Sequence, residues 1–465
     1  MKKPSVVEMV GCVSHSVRLL LLWVVVATVV VAHGEGNKGL LAYLDGDAIR
    51  MKERFENLTY GDVTESWEGY VPPKGFSLGR KNRDDGTTKT PLEFVTTRYL
   101  DSEELHVHML NFASRCGDIA RLVQIGRSVK GRPIEALEIS NTLDKGLKDG
   151  KPHVKIVGGI HGDETVGRVV SMGVAEWLCE KYESDPTASA IVSGVHTWVL
   201  PGMNPDGFEA KTRWNANGVD LNRDFPDRFD DEGMTSNTLG RQPETVAIMG
   251  WTQDYPFVSS LVFHGGELVV SYPFDGTADG RAHYAKSPDD ETFRYLAREY
   301  AENHRVLSSF RQRQFPGGIT NGAAWYPIYG GMGDWNYLME HVYELTIEAG
   351  KTKWPNSKML PGLFEDNRKS VLEFIKTTAF KGINGVVRTK NRNGSKRALK
   401  GAKVYIDGLD SYVISTERGQ FYRPIAPGTY TVLIEKRGYN TVVEEVKCPL
   451  ANASKRTKFN LVKLQ

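Results

Sequence analysis

This chain has almost no net charge of either sign. Lys and Arg total 59 against 57 Asp and Glu, which leaves +2 over 465 residues. That balance argues against a broad field for nucleic acid or an acidic membrane surface. No nucleic-acid partner is expected. Cysteine is scarce, at 4 residues, and long apolar runs are scarcer. One runs from Leu19 to Ala32, behind Lys2, Lys3 and Arg18. It is short for a membrane span and has the layout of a signal peptide, with small residues for cleavage at Ala32 and Gly34. The competing reading is an uncleaved N-terminal anchor. No second such run follows, and the C-terminal KFNLVKLQ holds no anchor. Stable membrane insertion is therefore not expected once the signal is gone.

Entry into the secretory pathway would make acceptors of Asn57 (NLT), Asn393 (NGS) and Asn452 (NAS), giving a secreted or luminal glycoprotein. Signal removal leaves Cys116, Cys179 and Cys448. An odd number leaves at least one unpaired, so a disulfide scaffold is not expected. Cys179 sits among apolar residues on an expected helix and reads as a buried, inert thiol.

What is present is a folded chain: 40% hydrophobic and 25% charged, and long enough for two or more domains. Residues 34–91 are polar and Gly-rich and read as an N-terminal extension. From 92 to 380 apolar strands alternate with helices. A helix capped by Ser102 is expected to run to Cys116. LVQIGRSVKGRPIEALEIS reads as two strands around a turn, and VKIVGGI as a buried strand. Val166, Val169, Val170, Val174 and Leu178 keep helical spacing. Further helices are expected over Gln242–Thr252, Glu291–Val306 and Leu363–Thr377. The pattern predicts an α/β domain with a mixed, largely parallel sheet flanked by helices. From 381 to 465 only short strands split by turns remain, as in a small β-sandwich.

Polar residues at strand ends carry the chemistry. His161 and Glu164 (HGDE) follow one buried strand, His264 (FHGGE) another, and Glu348 (TIEAG) a third. Each alone has a structural explanation. Glu164 could complement a helix start, and His264 could be a satisfied core residue. Together they point to one site, since open α/β sheets gather their ligands at strand C-termini. Two His and one Glu match a catalytic zinc with an open fourth position. Glu348 would be the base. Asp220 is a candidate to hold His161 through its second ring nitrogen. Arg213 to Arg223 (RWNANGVDLNR) offers guanidinium and amide groups suited to a carboxylate. The pattern reads as a zinc enzyme acting at a free C-terminus.

HGDETVGR, NPDGFE, RWNANGVDLNRDFPD, FHGGELVVSYPFD, NGAAWYPIYGGMGDWNY and ELTIEAG together resemble the carboxypeptidase A superfamily of zinc metallocarboxypeptidases. The resemblance is to its regulatory branch, with carboxypeptidases D, E, N and M, and most to the D type. It spans about Leu92 to Leu461 and implies a transthyretin-like β-sandwich after the catalytic domain. It implies zinc on His161, Glu164 and His264, one ion per chain. Glu348 would take a proton from the attacking water and return it to the leaving amine. Arg213 would stabilise the oxyanion. Asn222 and Arg223 would grip the substrate carboxylate, and Tyr326 would close over it. Asp275 would pair with a C-terminal Arg or Lys of a peptide or protein substrate. The motif departs from the usual GGMQD at Gly333, which removes an amide beside that pocket. The alternative reading is a non-catalytic, peptide- or protein-binding member.

Overall fold

The computed structural model describes residues 90–230, 233–309, 314–390, 395–448 and 457–461. The signal segment, the extension before residue 90, and Asn57, Asn393 and Asn452 lie outside the described residues.

Helix α1 (Pro91–Thr96) opens behind Thr90, and α2 (Ser102–Arg115) opens behind Asp101. Asp101, not Ser102, is the cap. Asp101 Oδ1 accepts from Glu104 N at 2.8 Å, and Glu104 Oε2 accepts from Asp101 N at 3.1 Å. Only the spacing of three residues closes both bonds of this box.

Strands β1 (Ala120–Arg127) and β2 (Pro133–Ile139) pair as a hairpin. There follow β3 (His153–Gly158), α3 (Val166–Lys181), α4 (Pro186–Gly194), β4 (His196–Leu200), α5 (Pro205–Ala210) and α6 (Pro243–Asp254). Next come β5 (Phe257–His264), β6 (Leu268–Tyr272), α7 (Asp290–Asn303), β7 (Ile319–Asn321), α8 (Gly322–Trp325), α9 (Met332–Glu340), β8 (Tyr343–Ala349) and α10 (Leu360–Phe380). The sheet order is β1-β2-β4-β3-β5-β8-β6-β7. The ladders joining β4, β3, β5 and β8 are all parallel. Every residue of β3, β4 and β5 is buried, as expected for strands covered on both faces. Strand β6 instead runs antiparallel to β8. It carries the chain from the strand-end face back toward the sheet interior, which decides where Asp275 lies.

Helix α3 packs its valines into the core. Val170 and Val174 are fully buried, and Leu178 sits with them. The end of α2 lies against this helix, and Cys116 bonds to Cys179 there, with Cα atoms 6.2 Å apart. Cys179 is therefore not an inert thiol. Its partner is 63 residues away in sequence and is brought to it only by helix packing. Cys448 is the free, buried cysteine.

After α10 the strands are β9 (Ile383–Lys390), β10 (Lys396–Ala398), β11 (Lys403–Ile406), β12 (Tyr412–Ile414), β13 (Gln420–Arg423), β14 (Gly428–Glu435), β15 (Val442–Cys448) and β16 (Thr457–Leu461). One sheet has the order β10-β9-β13, with β16 also on β9; the other is β12-β11-β14-β15. Val387 and Phe421 from the first sheet share a core with Val404, Val432 and Ile434 from the second. Arg423, with 0% exposure, reaches out of this layer. Its Nη2 donates to Asp289 Oδ1 at 2.8 Å, just before α7, and its Nη1 meets Tyr343 Oη on β8. No helix among the described residues is long and apolar enough to cross a membrane.

Candidate active site

The loop between β3 and α3 carries His161 and Glu164. It lies hard against α5: a β-carbon on Gly162 would come within 2.0 Å of the Gly207 carbonyl carbon. Only glycine allows this approach, so the HGDE turn is fixed by the helix beneath it. His264 ends β5, and Glu348 sits beside it in the ladder as its partner on β8. Sheet register therefore makes neighbours of residues far apart in sequence.

Three donor atoms converge. His161 Nδ1 lies 2.8 Å from Glu164 Oε2, His264 Nδ1 lies 2.9 Å from the same oxygen, and the two ring nitrogens are 3.2 Å apart. Zinc bonds of about 2.0–2.1 Å at tetrahedral angles set ligand atoms roughly 3.3 Å apart, so this set fits the ion. All three residues are buried, at 1%, 3% and 4% exposure. The other atoms of the set are mostly occupied. Asp220 Oδ1 lies 2.9 Å from His161 Nε2, which leaves Nδ1 for the metal. Arg213 Nη1 at 3.3 Å and Lys353 Nζ at 2.9 Å hold Glu164 Oε1. Burial would raise the Glu164 pKa, but the bonds to His161 and His264 hold it well below the carboxylate range. Asp220 is likewise held low against its own burial, by His161 and by Arg213, whose Nε donates to Oδ2 at 2.8 Å.

Glu348 is buried, and its Oε2 has no hydrogen-bond partner among the described residues. Burial, reinforced by the Glu164 charge, pushes it up to about 7, against the pull of His264. It opens onto a cavity of about 240 Å³ that also touches Arg213, Asn222, Arg223, Asp275 and Tyr326. Asn222 Oδ1 accepts from Met332 N at 3.0 Å, which fixes the amide's orientation. Tyr326 is 45% exposed at the rim. Asp275 lies inside, past the end of β6, and its backbone N–H donates to both oxygens of Asp334 at 3.1 Å. Close packing pushes the Asp275 carboxyl up to about 6, although nearby Arg223 pulls the other way.

Sequence reasoning missed Lys353, Asp334 and the contacts of Arg213 with Glu164 and Asp220. A polar residue after a strand and an Asp in a helix's first turn have common structural uses, so neither stands out. It also missed a buried cluster at Glu138, His153 and His196. His196 is already held on both sides, by Glu138 at 2.6 Å and Asp149 at 2.8 Å, and His153 Nδ1 accepts from Trp198 Nε1 at 3.0 Å. That cluster is a closed internal network.

The model of the zinc carboxypeptidase family matches residues 105–370. Carboxypeptidase SOL1 of Arabidopsis thaliana is 42% identical over 355 residues, which is 76% of this chain and 70% of that protein. Carboxypeptidase E of Caenorhabditis elegans is 35% identical over 80% of this chain and 86% of its own length. Carboxypeptidase D of Homo sapiens is 37% identical over 77% of this chain, but the match spans only 26% of that longer protein. The crystal structure of thrombin activatable fibrinolysis inhibitor shares the fold, with a TM-score of 0.53 at 17% identity, over 62% of this chain and 76% of that one. By the length of the family match and the identity to relatives covered over most of their length, this chain belongs to the zinc carboxypeptidases and is a metallocarboxypeptidase.

Proposed function

We propose that the enzyme removes C-terminal Arg or Lys from peptides or proteins in the secretory pathway. The observation that carries this reading is Asp275, a carboxyl group enclosed in the same cavity as Glu348 and Arg223. A basic side chain would pair with it, whereas an apolar one would leave the acid desolvated and alone.

In this reading His161, Glu164 and His264 hold zinc, which supplies Lewis-acid polarisation of a carbonyl and acidifies water. Glu348 takes the proton of the attacking water and delivers it to the departing amine. Arg213, already steered by Asp220, stabilises negative charge on the scissile carbonyl oxygen. Arg223 and Asn222 bind the terminal carboxylate, Arg223 by a two-pronged pair. Tyr326 at the rim closes over the bound end. Asp220 keeps His161 in the tautomer that offers Nδ1.

The secretory placement draws support from the signal-like N-terminus, the sequons and the Cys116–Cys179 bond, since disulfides persist in oxidising compartments. The proposed division is a signal at 1–33, an extension at 34–91, a catalytic domain at 92–380 and a transthyretin-like sandwich at 381–465. The test is a panel of peptides identical except for the last residue, assayed with zinc-loaded enzyme. Cleavage confined to Arg and Lys ends is expected. Equal cleavage of Leu or Phe ends, or none of any, overturns the reading.

A further inference from the structure

Glycine at 333 lies against Asp275, one of the residues that line the cavity. A β-carbon built there would stand 3.5 Å from Glu344 Oε1 and 3.6 Å from Asp275 Oδ2, with nothing else within 4 Å. The missing side chain thus leaves a small gap flanked by two carboxyl groups.

Glu344 has no part in the mechanism above. It lies on β8 four residues before Glu348, on the same strand face, with Thr346 of the cavity lining between them. It is 1% exposed. Asn336, one turn beyond Gly333 on α9, donates to Glu344 Oε2 at 2.7 Å. Ser260, its ladder partner on β5, brings a hydroxyl to this carboxyl, but Oε1 forms no hydrogen bond of good geometry. Lys155 Nζ donates to Thr252 Oγ1 at 2.6 Å and Asn336 Oδ1 at 3.0 Å and reaches Glu344 by charge rather than by a hydrogen bond to Oε1. A buried acceptor without a well-formed hydrogen bond is costly, and this one adjoins the gap beside Asp275. Burial pushes the Glu344 carboxyl upward, with Lys155 opposing. A cation entering the gap would relieve that cost.

We propose that Gly333 and Glu344 extend the specificity pocket by one acidic position, so that a substrate guanidinium bridges Asp275 and Glu344 and C-terminal Arg is preferred over C-terminal Lys. The proposal rests on the basic-end reading above and names the preferred base. A guanidinium is planar, with donors on opposite edges, and can serve two carboxyls at once. An ammonium is a compact point charge at the end of its stem. Any longer side chain at 333 would fill the gap between the two acids.

The experiment compares catalytic efficiency on two peptides that differ only in ending with Arg or Lys. The proteins are the full zinc-loaded chain, Gly333→Gln and Glu344→Gln. Calorimetric binding of free L-arginine and L-lysine is measured on each. The expected result is an Arg preference of about tenfold, the scale of one charge-assisted hydrogen bond. That preference should collapse to about one in both variants, for cleavage and for binding. An unchanged Arg:Lys ratio in both variants, or a wild-type preference for Lys, overturns the proposal while leaving a basic carboxypeptidase intact. Selective arginine binding that Glu344→Gln abolishes, in a protein that cleaves neither peptide, upholds the pocket and overturns the cleavage reading. Neither cleavage nor selective binding overturns both.

Discussion

Asp220 joins two groups of the site by being shared between them: one oxygen meets His161 Nε2 at 2.9 Å, and the other accepts from Arg213 Nε at 2.8 Å. One carboxylate therefore sets both the tautomer of a proposed zinc ligand and the aim of the proposed oxyanion donor. Asp220→Asn keeps the shape and removes the charge. It should weaken zinc binding by about 10–100-fold and lower turnover at saturating zinc as well. Titration against a chelator of known affinity checks the first effect. Unaltered zinc affinity would remove Asp220 from the metal site.

Glu348→Gln should retain one zinc per chain and lose about 10²–10⁴-fold in turnover. The amide is close to isosteric, and Oε2 makes no structural hydrogen bond that the change would break. Metal analysis and steady-state kinetics on the same preparation are sufficient. Near wild-type turnover would rule out its role as the base.

The preference for basic over apolar ends should reach at least about a hundredfold in catalytic efficiency, the equivalent of roughly 3 kcal/mol for stranding a pocket carboxylate. Asp275→Ala should cut activity on Arg and Lys ends while sparing or raising it on Leu and Phe ends. An equal fall on both classes would make Asp275 structural.

Acid should destabilise the fold through His304. Its Nδ1 accepts the backbone N–H groups of Val306 at 3.1 Å and Leu307 at 3.2 Å, so the folded protein needs the neutral ring. Burial, with the Arg305 charge added, pushes its pKa down to about 4, below the unfolded value of about 6.5. Its contribution to stability is thus complete above about pH 6.5 and is lost as pH falls toward 4. Between about pH 7 and about pH 4.5 this group alone should account for about 2 kcal/mol. Denaturant unfolding of wild type and His304→Asn at both values would check it. An identical loss in the two proteins would contradict the assignment.

The sequence made the strand ends legible because each apolar run stops at a polar residue that burial alone would not favour. That is how His161, His264 and Glu348 stood out. It could not supply the register that sets His264 beside Glu348, nor the antiparallel β6 that sends Asp275 inward, since both depend on ladder pairing. The bond between Cys116 and Cys179 was hidden for a similar reason: a thiol on an apolar helix face looks the same whether or not another helix delivers a partner. Asp101 was legible and passed over, because its distance to Glu104 already spelled the cap. β10 and β12, at 3 residues each, are too short for alternation to show.

The buried pair of Arg423 and Asp289 has a consequence for how the chain is made. Asp289 sits in the catalytic body with 2% exposure, and besides Arg423 its carboxylate meets only the neutral hydroxyls of Tyr337 and Ser411 among its described side-chain partners. On a ribosome its counter-charge emerges more than a hundred residues later. Until then the nascent body must hold an interior anion without its cation, or leave that region open. The last strands therefore complete an interior begun much earlier, and a chain shortened after Phe380 would leave an unneutralised acid inside the catalytic half.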